Sequence, residues 1–148
     1  MPRHFNGTAR QERALSAYVK LLRASETVHS EATRTLAEEG LSASQFGVLE
    51  ALYHIGPLCL SDLAHKILKT TGNLTMVVRN LERSGLVTRQ QSAEDRRFVS
   101  VAITEKGRKR MARVFPVHLE RIVELMNRLS PSQQDELGRL CRKLGKDR

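Results

Sequence analysis

Two groups of side chains in this sequence are equipped to meet a polyanion. The first is Asp95, Arg96 and Arg97 in QQSAEDRRFVSV, residues 90–101, where two acids and two arginines crowd a polar segment ahead of an alternating apolar run. The second is Asn73, Thr75, Met76, Arg79 and Arg83 in GNLTMVVRNLERSG, residues 72–85. Asn pairs with adenine edges and Arg with guanine edges, while Thr or Met meets the thymine methyl group. Arg also enters the minor groove, where the negative potential favours it. A long, flexible cation loses much side-chain entropy on such insertion unless a neighbouring carboxylate already grips it by a charge-assisted bond. Asp95 is spaced to hold Arg97 in that way, which leaves Arg96 for a phosphate. Lys66, Lys69 and Arg89 are further phosphate candidates. Taken alone, each group equally describes a solvated helix face or a polar turn, so the elements around them decide.

Charge is distributed in keeping with a polyanionic partner. The 148 residues carry 25 Lys and Arg against 16 Asp and Glu, a formal net charge of +9, and residues 61–113 hold 12 of the bases but only 5 of the acids. Nucleic acid and acidic membrane are the two usual partners of such a chain. No run approaches the roughly 18 consecutive apolar residues of a membrane span, and the opening MPRHFNGTARQERAL has no apolar core of a secretory signal, so a cytoplasmic protein without a membrane partner is expected. With 40% hydrophobic and 28% charged residues and little Gly or Pro, the chain reads as one globular domain, 1–148.

The local patterns place both groups. Residues 8–39 read as a long helix with a thinning apolar stripe at Leu15, Tyr18, Val19, Leu22, Val28, Ala32 and Leu36, closed by Gly40. SASQ supplies a capping box, Ser42 with Gln45, for a second helix whose inner face is Phe46, Leu49 and Leu52 or Tyr53, and which stops before Gly56 and Pro57. An apolar link, PLCL, leads to Ser61 as the expected cap of a short helix with Leu63, Ala64 and Ile67 inward. Thr70 or Thr71 caps the next helix, where Leu74, Val77, Val78 and Leu81 follow the i, i+3, i+4, i+7 rule and turn the second group outward, until Gly85 ends it. Two short helices joined by a brief turn have the pattern of a helix-turn-helix. LVTRQ and FVSVAI then read as strands, with the first group at the tip between them, so the hairpin is a wing. Thr104 caps a further helix running past Val114, Leu119, Ile122, Val123 and Met126, with a kink or short break expected at Pro116. Ser130, Pro131 and Gln133 open a last helix bearing Leu137, Leu140, Cys141 and Leu144.

The run GPLCLSDLAHKILKTTGNLTMVVRNLERSGLVTRQQSAEDRRFVSVAITEKG resembles the winged helix-turn-helix of the MarR family of bacterial transcriptional regulators. LVTRQQSAEDRRFVSVAITEKG carries the most specific part: a strand, a D-x-R wing tip, a return strand and an L-T-x-x-G-like helix start in which Ile103 replaces the usual Leu. With LSASQFGVLEAL upstream, the likeness covers residues 41–107. It implies a mainly α fold with a small β wing, in which that region binds double-stranded DNA while terminal dimerisation helices, 8–40 and 108–146, interlock in a homodimer. A two-fold dimer binds a pseudo-palindrome with half-sites about 10 base pairs apart. By the same likeness Arg97 is the wing arginine and Asp95 its partner. Thr70, Thr71, Asn73, Thr75, Met76, Arg79, Arg83 and Arg96 join it as expected DNA contacts. Many such proteins are repressors, relieved when a small aromatic or anionic molecule lodges between the dimer helices and the winged domain, or when a cysteine is oxidised.

The sensing half is written faintly. Phe46, Tyr53, Phe115 and His118 are the candidate lining of an effector pocket, although core packing is the default for each aromatic. The oxidation-sensing relatives carry a cysteine near the start of the first helix, whereas this chain has only Cys59 and Cys141, both read as buried, inert thiols. His29, His54, His65 and His118 show no metal-ligand spacing, and no cofactor is expected. Neither a nucleophile motif, a Gly-rich phosphate loop nor a placed carboxylate pair suggests an enzyme. The rival reading is a sequence-tolerant architectural or RNA-binding winged helix, which shares the basic middle third but lacks a large ratio of specific to non-specific affinity.

Overall fold

The computed structural model describes residues 5–67 and 71–146, without the side chains of residues 71 and 72. In chain order the elements are α1 (Ala9–Glu38), α2 (Ala43–Ile55), β1 (Leu58–Cys59), α3 (Leu60–Lys66), α4 (Thr71–Arg83), β2 (Val87–Gln91), β3 (Val99–Ile103), α5 (Glu105–Met126) and α6 (Pro131–Leu144). This is the mainly α fold with a small β wing read from the sequence. The chain divides into two compact units. Thr35–Glu124 form one, and the chain before them joins the chain from Leu125 onward to form the other.

Local chemistry accounts for most boundaries. Ser42 Oγ accepts the Gln45 amide at 3.1 Å while Gln45 Oε1 accepts the Ser42 amide at 2.9 Å, and Ser130 with Gln133 repeats the device ahead of α6. Thr8 and Gln11 make the same reciprocal pair ahead of α1. At the end of α4, Leu86 N donates to Leu81 O at 2.9 Å and Gly85 N to Glu82 O at 2.9 Å, with Gly85 at φ 73. This six-to-one closure needs a left-handed residue, for which glycine carries no Cβ penalty.

The Thr35–Glu124 unit has a continuous core. Leu36, Leu49 and Leu52, Leu63, Leu74, Val78 and Leu81, Val101 and Met111 are all at most 1% exposed, so every helix of the unit and the central strand contribute. Burying each such side chain stabilises the unit by about 1.5–3 kcal/mol before entropy is counted. The antiparallel sheet has the order β1-β3-β2, with Leu58 opposite Val101, Val87 opposite Ile103 and Gln91 opposite Val99.

Four expectations change. The apolar link is partly a strand: Leu58 and Cys59 pair with β3. Consequently α3 begins one residue before Ser61, with Cys59 at its cap position and no side-chain bond to the helix amides there. Pro116 does not interrupt α5, which runs from Glu105 to Met126 as one helix. Proline removes a single helical hydrogen bond there, and Met111 and Val114 before it and His118 after it are all buried and keep both sides in register. Finally, Cys141 is exposed rather than buried, because no residue of α6 is buried in the single chain. Lys69 and Thr70 lie outside the described residues, as does the side chain of Thr71.

The terminal unit contrasts with the core just described. Arg128 Nη2 meets Glu31 Oε2 at 2.8 Å, and Gln134 Nε2 donates to the carbonyls of Met126 and Leu129 at 3.0 and 3.1 Å. Leu15, Tyr18, Leu21 and Leu22 on α1, and Leu137, Leu140 and Leu144 on α6, nevertheless stay exposed.

Candidate nucleic-acid interface

Amphipathicity orients α4. Leu74, Val78 and Leu81 are buried in the core and Val77 packs against it, so the opposite face points away. Asn73, Met76, Arg79 and Arg83 lie on that outer face, and Met76 keeps 59% of its surface. An apolar side chain so exposed on a basic helix is little used in packing among the described residues. Thr75 is half-covered, because at about 100° per residue it is turned to the edge of the outer stripe. Asn80, not among the residues expected from the sequence, is exposed four residues after Met76 and shares its face, as the helical spacing requires.

The wing tip is ordered by its own polar groups. Ser92 N donates to Phe98 O at 2.9 Å and Phe98 N to Asp95 O at 3.0 Å, closing the loop, while Ser92 Oγ accepts the amides of Glu94 and Asp95, each at 3.3 Å. Asp95 then grips Arg97 from both sides. Its Oδ1 accepts the Arg97 amide and Nε, each at 3.0 Å, and its Oδ2 accepts Nη2 at 2.8 Å. The arginine side chain remains 87% exposed against 30% for the aspartate, so a cation is presented to solvent from an anchored base. The Arg97 guanidinium holds the Asp95 carboxyl below the usual carboxylate range, and Asp95 in turn raises the Arg97 pKa. Arg96 is exposed beside them, with its carbonyl accepting Gln91 Nε2 at 2.6 Å.

Of the extra phosphate candidates, Lys66 is exposed, but Arg89 is turned to another use. Its Nη2 lies 3.1 Å from Glu82 Oε1 on α4.

The four residues expected at an effector pocket fall into two aromatic groups. Phe46 and His118 pack at 4.5 Å between ring centroids. Tyr53 meets His54 edge-on at 5.1 Å, and His54 meets Phe115 at 4.7 Å. His118 is buried, and its Nδ1 has no hydrogen-bond partner among the described residues. An open cavity of about 490 Å³ is lined by Thr35, Pro116, Val117, Glu120, Arg121 and Glu124, and none of the four belongs to it. Cys59, expected to be buried, is only half-buried because it sits on a two-residue edge strand, with Sγ 3.2 Å from Ser61 Oγ. Among the described residues no three His, Cys, Asp or Glu side chains converge as a metal site, and no helix is long and apolar enough to cross a membrane.

A helix-turn-helix followed by a β hairpin with a cationic tip defines a winged helix-turn-helix protein. Comparison with known proteins gives the family. The MarR family model matches residues 41–99. The HTH-type transcriptional regulator YkoM of Bacillus subtilis is 37% identical over 134 residues, covering 90% of this chain and 87% of that protein. A MarR family regulator from Streptomyces coelicolor, solved in complex with DNA, superposes with a TM-score of 0.82 at 25% identity over 95% of this chain and 92% of that one. BpsR of Bordetella bronchiseptica, whose DNA binding is regulated by 6-hydroxynicotinic acid, superposes with a TM-score of 0.80 at 26% identity, covering 88% and 98%. The chain belongs to the MarR family and is a DNA-binding transcriptional regulator.

Proposed function

We propose that the protein is a ligand-responsive repressor that binds a pseudo-palindromic operator as a homodimer. In each copy α4 lies in the major groove, where Asn73, Met76, Arg79 and Arg83 face the base edges and Thr75 sits at the border, with Thr70 and Thr71 as further expected contacts. Arg97 enters the adjacent minor groove and Arg96 takes a phosphate. The observation that carries this reading is the grip of Asp95 on an otherwise exposed Arg97. One carboxylate holds its amide, Nε and Nη2, so the cation is ordered before it meets a groove.

The homodimer is supported by the apolar surface left open on α1 and α6, which a second copy would cover. A small aromatic or anionic effector is supported by the regulation of BpsR by 6-hydroxynicotinic acid and by the unpartnered Nδ1 of His118 beside Phe46, with Tyr53 and Phe115 as the remaining candidate residues.

Arg97→Ala tests the wing directly. It should weaken operator binding about tenfold while leaving the fold intact, since one well-placed base or groove contact is worth about 1–3 kcal/mol. Unchanged affinity would remove Arg97 from the interface. Asp95→Ala should reproduce much of the loss if the grip matters, and none of it if Arg97 acts unaided. For the effector, hydroxylated aromatic carboxylates should release the protein from its operator, and His118→Phe should abolish that response; release that is indifferent to His118→Phe would move the site elsewhere.

A further inference from the structure

The geometry points to a part for two residues that neither reading surface uses. We propose that Glu82 and Arg89 form a strut that fixes the angle between α4 and the wing, so that the helix and Arg97 engage one DNA site together. This rests on the reading of DNA by α4 and Arg97 proposed above.

Glu82 stands in the last turn of α4 and Arg89 in the middle of β2. One carboxylate holds both the side chain and the backbone of the strand residue. Glu82 Oε1 accepts Arg89 Nε at 3.2 Å and lies 3.1 Å from Nη2, while Oε2 accepts the Arg89 amide at 3.2 Å. β2 is an edge strand, so its outward amides have no neighbouring strand to pair with, and Glu82 satisfies one of them. Hinging α4 away from β2 would therefore break an ion pair and exchange a backbone hydrogen bond for one to water. The side chains are 30% and 38% exposed, which screens the pair less than a fully solvated one.

The base of the wing is tied at a second place. Thr104 N donates to Leu86 O at 3.0 Å, Thr104 Oγ1 to Gly85 O at 2.6 Å and Lys106 Nζ to Ser84 O at 2.8 Å. Gly107 packs so closely that a Cβ there would run into the Leu86 carbonyl. These bonds fix the turn after α4, and the ladder with β3 holds β2 within the sheet. Glu82–Arg89 adds a direct tie from the last turn of α4 to the middle of β2, which resists a change in the angle between them.

An acid on a helix that faces phosphates also needs an explanation, since it repels the partner. Arg89 neutralises it locally, and Arg79, one turn earlier, acts on the same carboxylate; both cations hold it below the usual range. Glu82 thus sits between a base-reading candidate and the wing. Presenting two contacts in fixed relation makes the second one intramolecular and lowers the ordering cost of binding.

The test is a double-mutant cycle on the full chain, using a duplex recovered by selection from a random pool and an unrelated duplex at the same salt. Glu82→Gln should weaken binding to the selected duplex about fivefold or more, and in that background the penalty of Arg97→Ala should shrink, since coupled contacts are non-additive. Binding to the unrelated duplex should hold or tighten, because an acid has been removed. Arg89→Lys keeps the charge but loses the two-point grip, and should behave like Glu82→Gln. Additive losses, wild-type behaviour of Arg89→Lys, or parallel weakening on both duplexes with a lowered unfolding midpoint would each overturn the strut. If Arg97→Ala costs nothing in the otherwise unaltered protein, the wing reading fails first and the strut falls with it. That result is distinct from strut failure, in which Arg97→Ala retains its full penalty with or without Glu82.

Discussion

The two units of the chain reach stability by different routes. Between Thr35 and Glu124 the apolar side chains of α2 to α5 and the sheet bury one another, down to Leu49, Leu52, Leu63, Leu74 and Val101 at 0% exposure. In the terminal unit Ala32 and Leu125 are buried, yet Tyr18 remains 58% exposed and Leu144 68%. The first unit is a finished core that carries the reading surface. The second is a half-core, and its open face is the surface through which two copies would set the spacing of two reading heads.

That contrast makes the terminal unit the place of greatest leverage. Placing charges on both open stripes at once, Tyr18→Asp with Leu140→Asp, should yield monomers in sedimentation. It should also weaken operator binding about a hundredfold or more, because the bivalent contribution is lost. A dimer that persists would show that these stripes are not the interface. Next comes a pair of truncations. Leu81→Ala empties a site in the finished core and should cost about 2–5 kcal/mol at every protein concentration. Leu140→Ala should instead lower the unfolding midpoint mainly in dilute protein, as expected when folding and association are linked. Equal behaviour of the two would erase the distinction between the units. Smaller again, Ser42→Ala removes one half of the α2 capping box and should cost about 1 kcal/mol in chemical denaturation.

The smallest effect concerns pH. Asp95 and Glu82 both have lowered pKa values in the folded chain, so their contributions are complete above the usual carboxylate range and disappear only as pH falls through the lowered values. The penalty for Arg97→Ala should therefore stay constant between about pH 6 and 8, well above ordinary carboxylate pKa values of about 4. A penalty that changes across that window would implicate a different titrating group.

The sequence was most informative where a short stretch carries its own cause. Ser42 with Gln45, Ser130 with Gln133, Gly85 and Thr104 mark helix ends by bonds spanning three to five residues, and the structure contains each of them. Asp95 and Arg97 are two residues apart, so their pairing was equally readable. The misses are non-local. Leu58 and Cys59 become a strand only because β3 lies beside them, 43 residues away for Leu58 opposite Val101. That pairing in turn moved the start of α3 away from Ser61. The pairing of Arg89 with Glu82 was equally hidden, because nothing in its own strand reveals that Glu82 lies across a helix end from it. Cys141 is exposed because no residue of α6 is buried among the described residues, which periodicity does not carry.

The central claim, a two-headed reader of specific DNA, is tested most directly by selecting bound sequences from a random duplex pool with the purified full chain at near-physiological salt. The account predicts recovery of a pseudo-palindrome whose half-sites lie about 10 base pairs apart. Tight, salt-sensitive binding that enriches no consensus would contradict it, and would mark the chain as a sequence-tolerant DNA- or RNA-binding winged helix instead.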